Sequence, residues 1–242
     1  YSSVGPKEGQ GPMGKYFDHV CKDELLGEDT WEKAEARLIQ TTIQGLITRA
    51  GKTPHDIQYI FAGDLENQVI ASTFGVKDFN IPFFGLYGAC STMGESMCLA
   101  SMAVAGGMAD LVIAGTSSHN AAAEKQFRFP LEYAGQRMET QTWTATGSGF
   151  VTISRCGEGP KITAITPGKI VDLGMTDTFN MGASMAPAAV DTILTHLEDT
   201  NQKPSDFDAI ITGDLGKCGV DIAIDVAKRL GTDLSEVLID CG

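Results

Sequence analysis

Residues 53–65 read TPHDIQYIFAGDL, and residues 203–215 read KPSDFDAIITGDL, so the same motif returns at an offset of 150. Pro54 and Asp56 meet Pro204 and Asp206, and Ile60, Gly63, Asp64 and Leu65 meet Ile210, Gly213, Asp214 and Leu215. The offset carries backwards, where Thr42 and Ile43 meet Thr192 and Ile193. It also carries forwards with a small slip, where GLYGAC (85–90) meets VLIDCG (237–242). One offset held over so long a span marks a duplicated structural unit. Within the motif, IQYIFAGD is a short apolar run closed by a turn, as a buried strand would be. The residues before it, DTWEKAEARLIQTTIQGLITRAG (29–51), place Trp31, Ala34, Leu38, Ile39, Ile43, Leu46 and Ile47 at helical spacing. Asp29 and Glu32 resemble a capping box, and Gly51 reads as the stop. A helix feeding a buried strand, twice over, implies an α/β protein with a parallel layered sheet.

After VLIDCG the second copy stops, and nothing is left to match the helix that follows Cys90 in the first. The opening residues, YSSVGPKEGQGPMGK, read as a Gly- and Pro-rich loop with no opening strand. The expectation is a duplicated α/β fold incomplete at both ends. Its halves are residues 1–157, carrying Cys90, and 158–242, with the boundary in the polar stretch from Gly157 to Pro160.

The 242 residues are 43% hydrophobic, enough for a sizeable core. With 18 Lys and Arg against 31 Asp and Glu the net charge is −13, which argues against nucleic acid as a partner because phosphate binding needs surplus cations. The six cysteines form no CxxC pair and no metal-ligand spacing, so they read as reduced thiols. No stretch is apolar and long enough to span a bilayer, and the opening residues lack the apolar block of a signal peptide. Membrane association would therefore be peripheral.

Three stretches carry candidate chemistry. In YGACSTMGESM (87–97), Cys90 precedes a helical run, where peptide dipoles favour a thiolate and backbone N–H groups can hold an oxyanion or a carboxylate. The other reading is a small buried cysteine that fills space. In GTSSHNAAAEKQFRFP (115–130), His119 with Ser117, Ser118 and Asn120 can donate hydrogen bonds to a carboxylate, and Lys125 or Arg128 can supply charge. Alternatively this is a polar loop capping the next helix through Ser118 or Asn120, with His119 exposed. In KIVDLGMTDTFNMG (169–182), Asp172 and Asp177 either face a ligand or close turns. His19, His55 and His196 have no grouped partners and read as surface or capping residues.

A strand, then GACS, then a small-residue helix, inside a duplicated chain that also carries TATGSGFVTISR (144–155), resembles the thiolase superfamily and its initiating ketoacyl-carrier-protein synthases. The resemblance implies a layered αβαβα arrangement, with Cys90 at the nucleophile position. It also implies a His after the strand in DAIITGDLGKCG (208–219), where Gly213 and Asp214 stand instead, and an Asn that would fall at or beyond Gly242. An Asp there would repel an enolate, so no catalytic residues are expected.

GPKEGQGPMGKYFD, AGDLENQ, LYGACSTMGES, GTSSHNAAAEKQFRFP and DLGMTDTFNMGASMAPAA are similar to a sporulation branch of that superfamily. The resemblance implies a non-catalytic protein that binds dipicolinic acid (pyridine-2,6-dicarboxylate). It would act peripherally at the forespore or spore inner membrane, beside the other membrane proteins of the stage V A sporulation complex, and as a homodimer at full length. Cys90, His119, Asp172, Arg128 and Ser118 become the expected ligand contacts. The flat dicarboxylate suits the guanidinium fork of Arg128 between two aromatics, unless Arg128 is an interface residue. No cofactor and no resident metal are expected, although Ca2+ brought with dipicolinate would let Asp172 approach the dianion. The rival reading is an acyltransferase acting on acyl-CoA through Cys90, with His119 as an unconventional base. A third reading is a scaffold with no ligand.

Overall fold

In the computed structural model, which describes residues 1–127, 138, 140–177 and 179–240, the 150-residue offset becomes geometry. The strands are β1 (Ser2–Val4), β2 (His19–Val20), β3 (Tyr59–Gly63), β4 (Phe83–Leu86), β5 (Leu111–Ser118), β6 (Gly147–Ser154), β7 (Ile210–Thr212) and β8 (Leu238–Asp240). The helices are α1 (Pro6–Gly9), α2 (Trp31–Arg49), α3 (Ile70–Val76), α4 (Thr92–Ala105), α5 (Asn120–Phe127), α6 (Met181–Thr200) and α7 (Gly216–Arg229). Adding 150 to the start of α2 gives the start of α6, and β7 falls within the span of β3 shifted by the same offset. The short 3-10 turns Pro54–Asp56 and Pro204–Asp206 also coincide, and in each the Asp carboxylate accepts the N–H three residues back, Thr53 at 2.7 Å and Lys203 at 2.8 Å.

The chain divides into two compact units, residues 1–134 with 143–160 and residues 135–142 with 161–242. In the first, α2 starts at Thr30, whose Oγ1 accepts the Lys33 N–H at 3.3 Å, and stops before Gly51 at φ +63. The expected Asp29–Glu32 box is not the cap, because Asp29 pairs with Lys33 and Glu32 with Lys125, each at 2.7 Å. Six strands lie in the order β2-β1-β6-β5-β3-β4. Strand β3 runs parallel to both β4 and β5, while β6 runs antiparallel to β5 and β1. The sheet is thus mixed, and the opening residues, expected to be loop, form β1 because β6 offers them an edge to pair with.

Alternation along the strands sorts the core into two faces. Ile60, Ala62, Ile113 and Phe150 pack with Ile39, Ile43, Leu46 and Ile47 of α2, whereas Phe61, Val112 and Ala114 pack with Ala100, Ala103 and Val104 of α4. In the second unit, β7 and β8 pair in parallel, and Ala186 and Val190 of α6 pack with Ala223 and Ala227 of α7. The two helices meet at Gly182 and Gly219, where a Cβ on Gly182 would lie 2.1 Å from the Leu215 carbonyl oxygen.

Candidate functional site at the strand ends

Because β3, β4 and β5 are parallel, their carboxyl ends open on one edge of the first unit, where ligands gather in such sheets. From β4 the chain turns through Gly88, Ala89 and Cys90 into α4. Ser91 Oγ donates to the Gly88 carbonyl at 2.8 Å, and the Gly88 N–H donates to Thr92 Oγ1 at 3.1 Å, which knits the turn. Ala89 sits at φ +47, a left-handed conformation that a residue with a Cβ adopts only under constraint. Thr92 is buried above Gly63, where a Cβ would lie 1.9 Å from the Leu86 carbonyl oxygen and 3.0 Å from Thr92 Cγ2. Only glycine lets α4 approach so closely, and that approach presents Cys90. The thiol is exposed at the first turn of the helix, so it is not a buried space filler.

His119 follows β5 and is 1% exposed, in contrast to the exposed residue that the capping-loop reading expects. Its Nδ1 accepts the Ala121 N–H at 3.2 Å, capping α5, so its hydrogen sits on Nε2 and is donated to the Glu24 carbonyl at 2.7 Å. Both nitrogens are engaged within the protein, and Trp31 lies against the ring with centroids 5.4 Å apart. Alternation along β5 puts His119 on the α2 side with Ile113 and Ser117, while Cys90 leads into α4 on the other side, with β3 between them. Ser118 lies on the α4 side, but its Oγ donates to the Ala145 carbonyl at 2.7 Å. Lys125 pairs with Glu32. Arg128 lies outside the described residues.

In the second unit Asp172 is exposed and its Oδ1 accepts the Gly174 N–H at 2.7 Å, while Asp177 closes a similar turn on the Phe179 N–H. Past β7, at the turn where the resemblance implies a His, Asp214 Oδ1 accepts the Gly216 N–H at 3.1 Å. Among the described residues no three His, Cys, Asp or Glu side chains are grouped to hold a metal ion.

The sequence reading missed a buried acidic group on the α2 side of the same edge. Glu35 is 0% exposed, Asp64 1% and Glu66 4%. Asp64 is fully satisfied, accepting the Glu66 N–H at 2.8 Å and the Ser72 N–H at 2.7 Å. Glu35 Oε1 accepts the Ser117 hydroxyl at 2.7 Å, while Glu35 Oε2 and Glu66 Oε1 meet no N–H or O–H donor. Each carboxyl faces the charge of the other, so with no donor at either oxygen the pair is favoured with a proton bound. Burial lifts Glu35 well above the usual carboxylate range, helped by the charges of Asp64 and Glu66, and burial lifts Glu66 to about 7. The signal was present in the sequence: Glu35 interrupts the apolar stripe of α2 one turn from Trp31 and from Leu38 and Ile39.

The comparisons agree with this geometry. Solved structures with the same fold include a tetronic acid condensing enzyme, AbyA1 (TM-score 0.61, 15% identity, covering 85% of this chain and 71% of that one). They also include OleA of Xanthomonas campestris with bound lauric acid and lauroyl-CoA (0.60, 12%, 85% and 67%). A third is 3-oxoacyl-(acyl carrier protein) synthase III of Xanthomonas oryzae (0.59, 12%, 99% and 80%). At these identities they establish the thiolase-like fold alone. In sequence, the stage V sporulation protein AD of Bacillus subtilis (strain 168) is 43% identical over 241 residues, covering the whole of this chain and 71% of that protein. The family model for stage V sporulation protein AD (SpoVAD) matches residues 1–242. A thiolase-like fold and a cysteine presented ahead of a helix thus accompany a sequence match along the full chain, and the chain belongs to the stage V sporulation protein AD family.

Proposed function

We propose that this protein is a non-catalytic binder of dipicolinate, acting at the Cys90 edge and passing its ligand to membrane proteins that move it into the developing spore. The observation that carries the non-catalytic part is the pair of missing bases. Asp214 holds the turn where a condensing His is needed, and His119 has both ring nitrogens committed and faces away from the Cys90 helix. A flat dianion needs N–H donors and local positive charge in a chain of net charge −13, and the amides at the start of α4 beside Cys90 supply donors. On the edge of the first unit the reading assigns contacts to Cys90 and Ser118. Among the described residues no helix is long and apolar enough to cross a membrane, which suits peripheral attachment. For a homodimer the supporting feature is β4, an edge strand on which Phe84, and just beyond which Tyr87, is about half exposed.

One observation favours the rival acyltransferase on acyl-CoA: Ala89 is held in a strained conformation next to an exposed thiol, as nucleophile turns often are. Calorimetric titration of dipicolinate, with and without Ca2+, into the full-length protein and Cys90→Ala tests both. Saturable binding weakened at least tenfold in the variant is expected. Absence of binding in both, with an acyl mass increment from acyl-CoA that Cys90→Ala abolishes, would overturn the proposal in favour of the enzyme.

A further inference from the structure

We propose that the Glu35–Glu66 carboxyl pair is a proton-operated latch, which holds the loop 64–69 shut against the Cys90 edge while one proton is shared and releases it when both carboxyls ionise.

Three observations carry this. First, the pair is sealed: Glu35 is 0% and Glu66 4% exposed, and one oxygen of each meets no donor, which favours a bound proton over two charges. Second, the acidic neighbours make double ionisation unfavourable, and the groups that would favour it are few. Asp64 at the end of β3 and Glu32 on α2 add negative charge, Ser117 on β5 gives its one hydroxyl to Glu35, and among the described residues the facing cation, Lys125 on α5, is already engaged by Glu32 at 2.7 Å. Once the shared proton leaves, two adjacent buried carboxylates repel, and relief requires one to reach water. Glu66 is the one that can move, because Glu35 is fixed within a 19-residue helix whereas Glu66 sits in a loop.

Third, that loop is strained and mechanically connected. Gln68 and Val69 adopt φ +61 and +55, a conformation especially costly for the β-branched Val69, so the loop has backbone energy to release. Its Leu65 carbonyl accepts the Tyr87 hydroxyl at 3.4 Å, tying it to the turn that leads into Cys90. Asn67 and the Gln126 amide exchange two hydrogen bonds of 3.1 Å, tying it to α5. Movement of Glu66 therefore loosens the Cys90 turn and α5 together. The latch needs no ligand and does not depend on which molecule the edge binds.

The test is hydrogen exchange read by mass spectrometry on the full-length protein without ligand, at pH 5.5 and 8.5, with rates divided by the intrinsic rate at each pH. Protection over residues 64–72 should fall at least tenfold at the higher pH, while residues 59–62 of β3 keep theirs. In Glu66→Gln the side-chain amide donates to Glu35 at either pH, so protection should be high and pH-independent. Equal protection at both pH values in the wild type would overturn the latch, as would a uniform loss across the whole first unit. A Glu66→Gln protein that opens like the wild type would also overturn it. The wild-type comparison stands even if a variant fails to fold.

Discussion

Asp64 and Asp214 stand 150 residues apart, each at the end of a strand, and each turns its Oδ1 to the N–H two residues on, at 2.8 and 3.1 Å. Beyond that turn the two halves part company. In the first, Glu66 closes against Glu35, and a strained loop precedes α3. In the second, the position of Glu66 is Gly216 at φ +61, which starts α7 at once, and the position of Glu35 is Met185, packed against an apolar cluster. The duplication preserved the backbone chemistry of helix, 3-10 turn, strand and Asp turn, because each of these is satisfied locally. The polar groups that depend on tertiary neighbours survive in one copy only. Acidity is thereby concentrated at the edge that presents Cys90, and the counterpart edge has none of it at these two positions.

The comparison can be broken most severely at its glycines. Gly63→Ala would drive a Cβ to 1.9 Å from the Leu86 carbonyl and Gly182→Ala to 2.1 Å from that of Leu215. Neither backbone can yield, so each should lose about 4 kcal/mol or fail to fold, as measured by urea denaturation. A smaller effect separates the halves at a repeated position. Ile43 is fully buried and Ile193 only partly so, so Ile43→Ala should cost about 4 kcal/mol and Ile193→Ala about half of that. Equal losses would show that the second core is as tight as the first.

Smaller still is the pH effect of Glu66. Its folded pKa of about 7 lies above an unfolded value near 4.5, so the folded state binds the extra proton between them. The stability it contributes is complete below about pH 4.5 and lost as pH rises through 7. Glu66→Gln should therefore match the wild type at pH 4.5 and melt a few degrees higher at pH 8, whereas Gly216→Ala should show no such pH dependence. The smallest effect is at the matched caps. The backbone and side chain of Thr53 hold the Asp56 carboxyl below the usual range, so its contribution is present above about pH 3.8 and disappears as pH falls through the lowered value. Asp56→Asn and Asp206→Asn should each lower the melting temperature slightly and alike at pH 7, and the Asp56→Asn difference should vanish near pH 2.

Much of the fold was legible. The repeat, the helical spacing from Ala34 to Ile47 and the stop at Gly51 depend on periodicity and on a left-handed turn, which sequence records directly. The site was less so. Cys90 stood out because a thiol before a small-residue helix is a local pattern. The burial of His119 was not legible, because it depends on Glu24 and Trp31, which are remote in sequence. Glu35 and Glu66 escaped notice because an acid on an apolar helix stripe gains meaning only when a second acid arrives from another strand end.

By itself, then, the sequence determined the duplicated α/β plan, the cysteine at the head of α4 and the absence of a His at the Gly213 turn, since each follows from local spacing or residue identity. Only the tertiary structure decided that β6 runs antiparallel and recruits the first residues as β1, that His119 faces away from Cys90, and that the carboxyls of Glu35 and Glu66 are buried. Those outcomes depend on which strand lies beside which and which side chain water cannot reach, and both are properties of the packed chain.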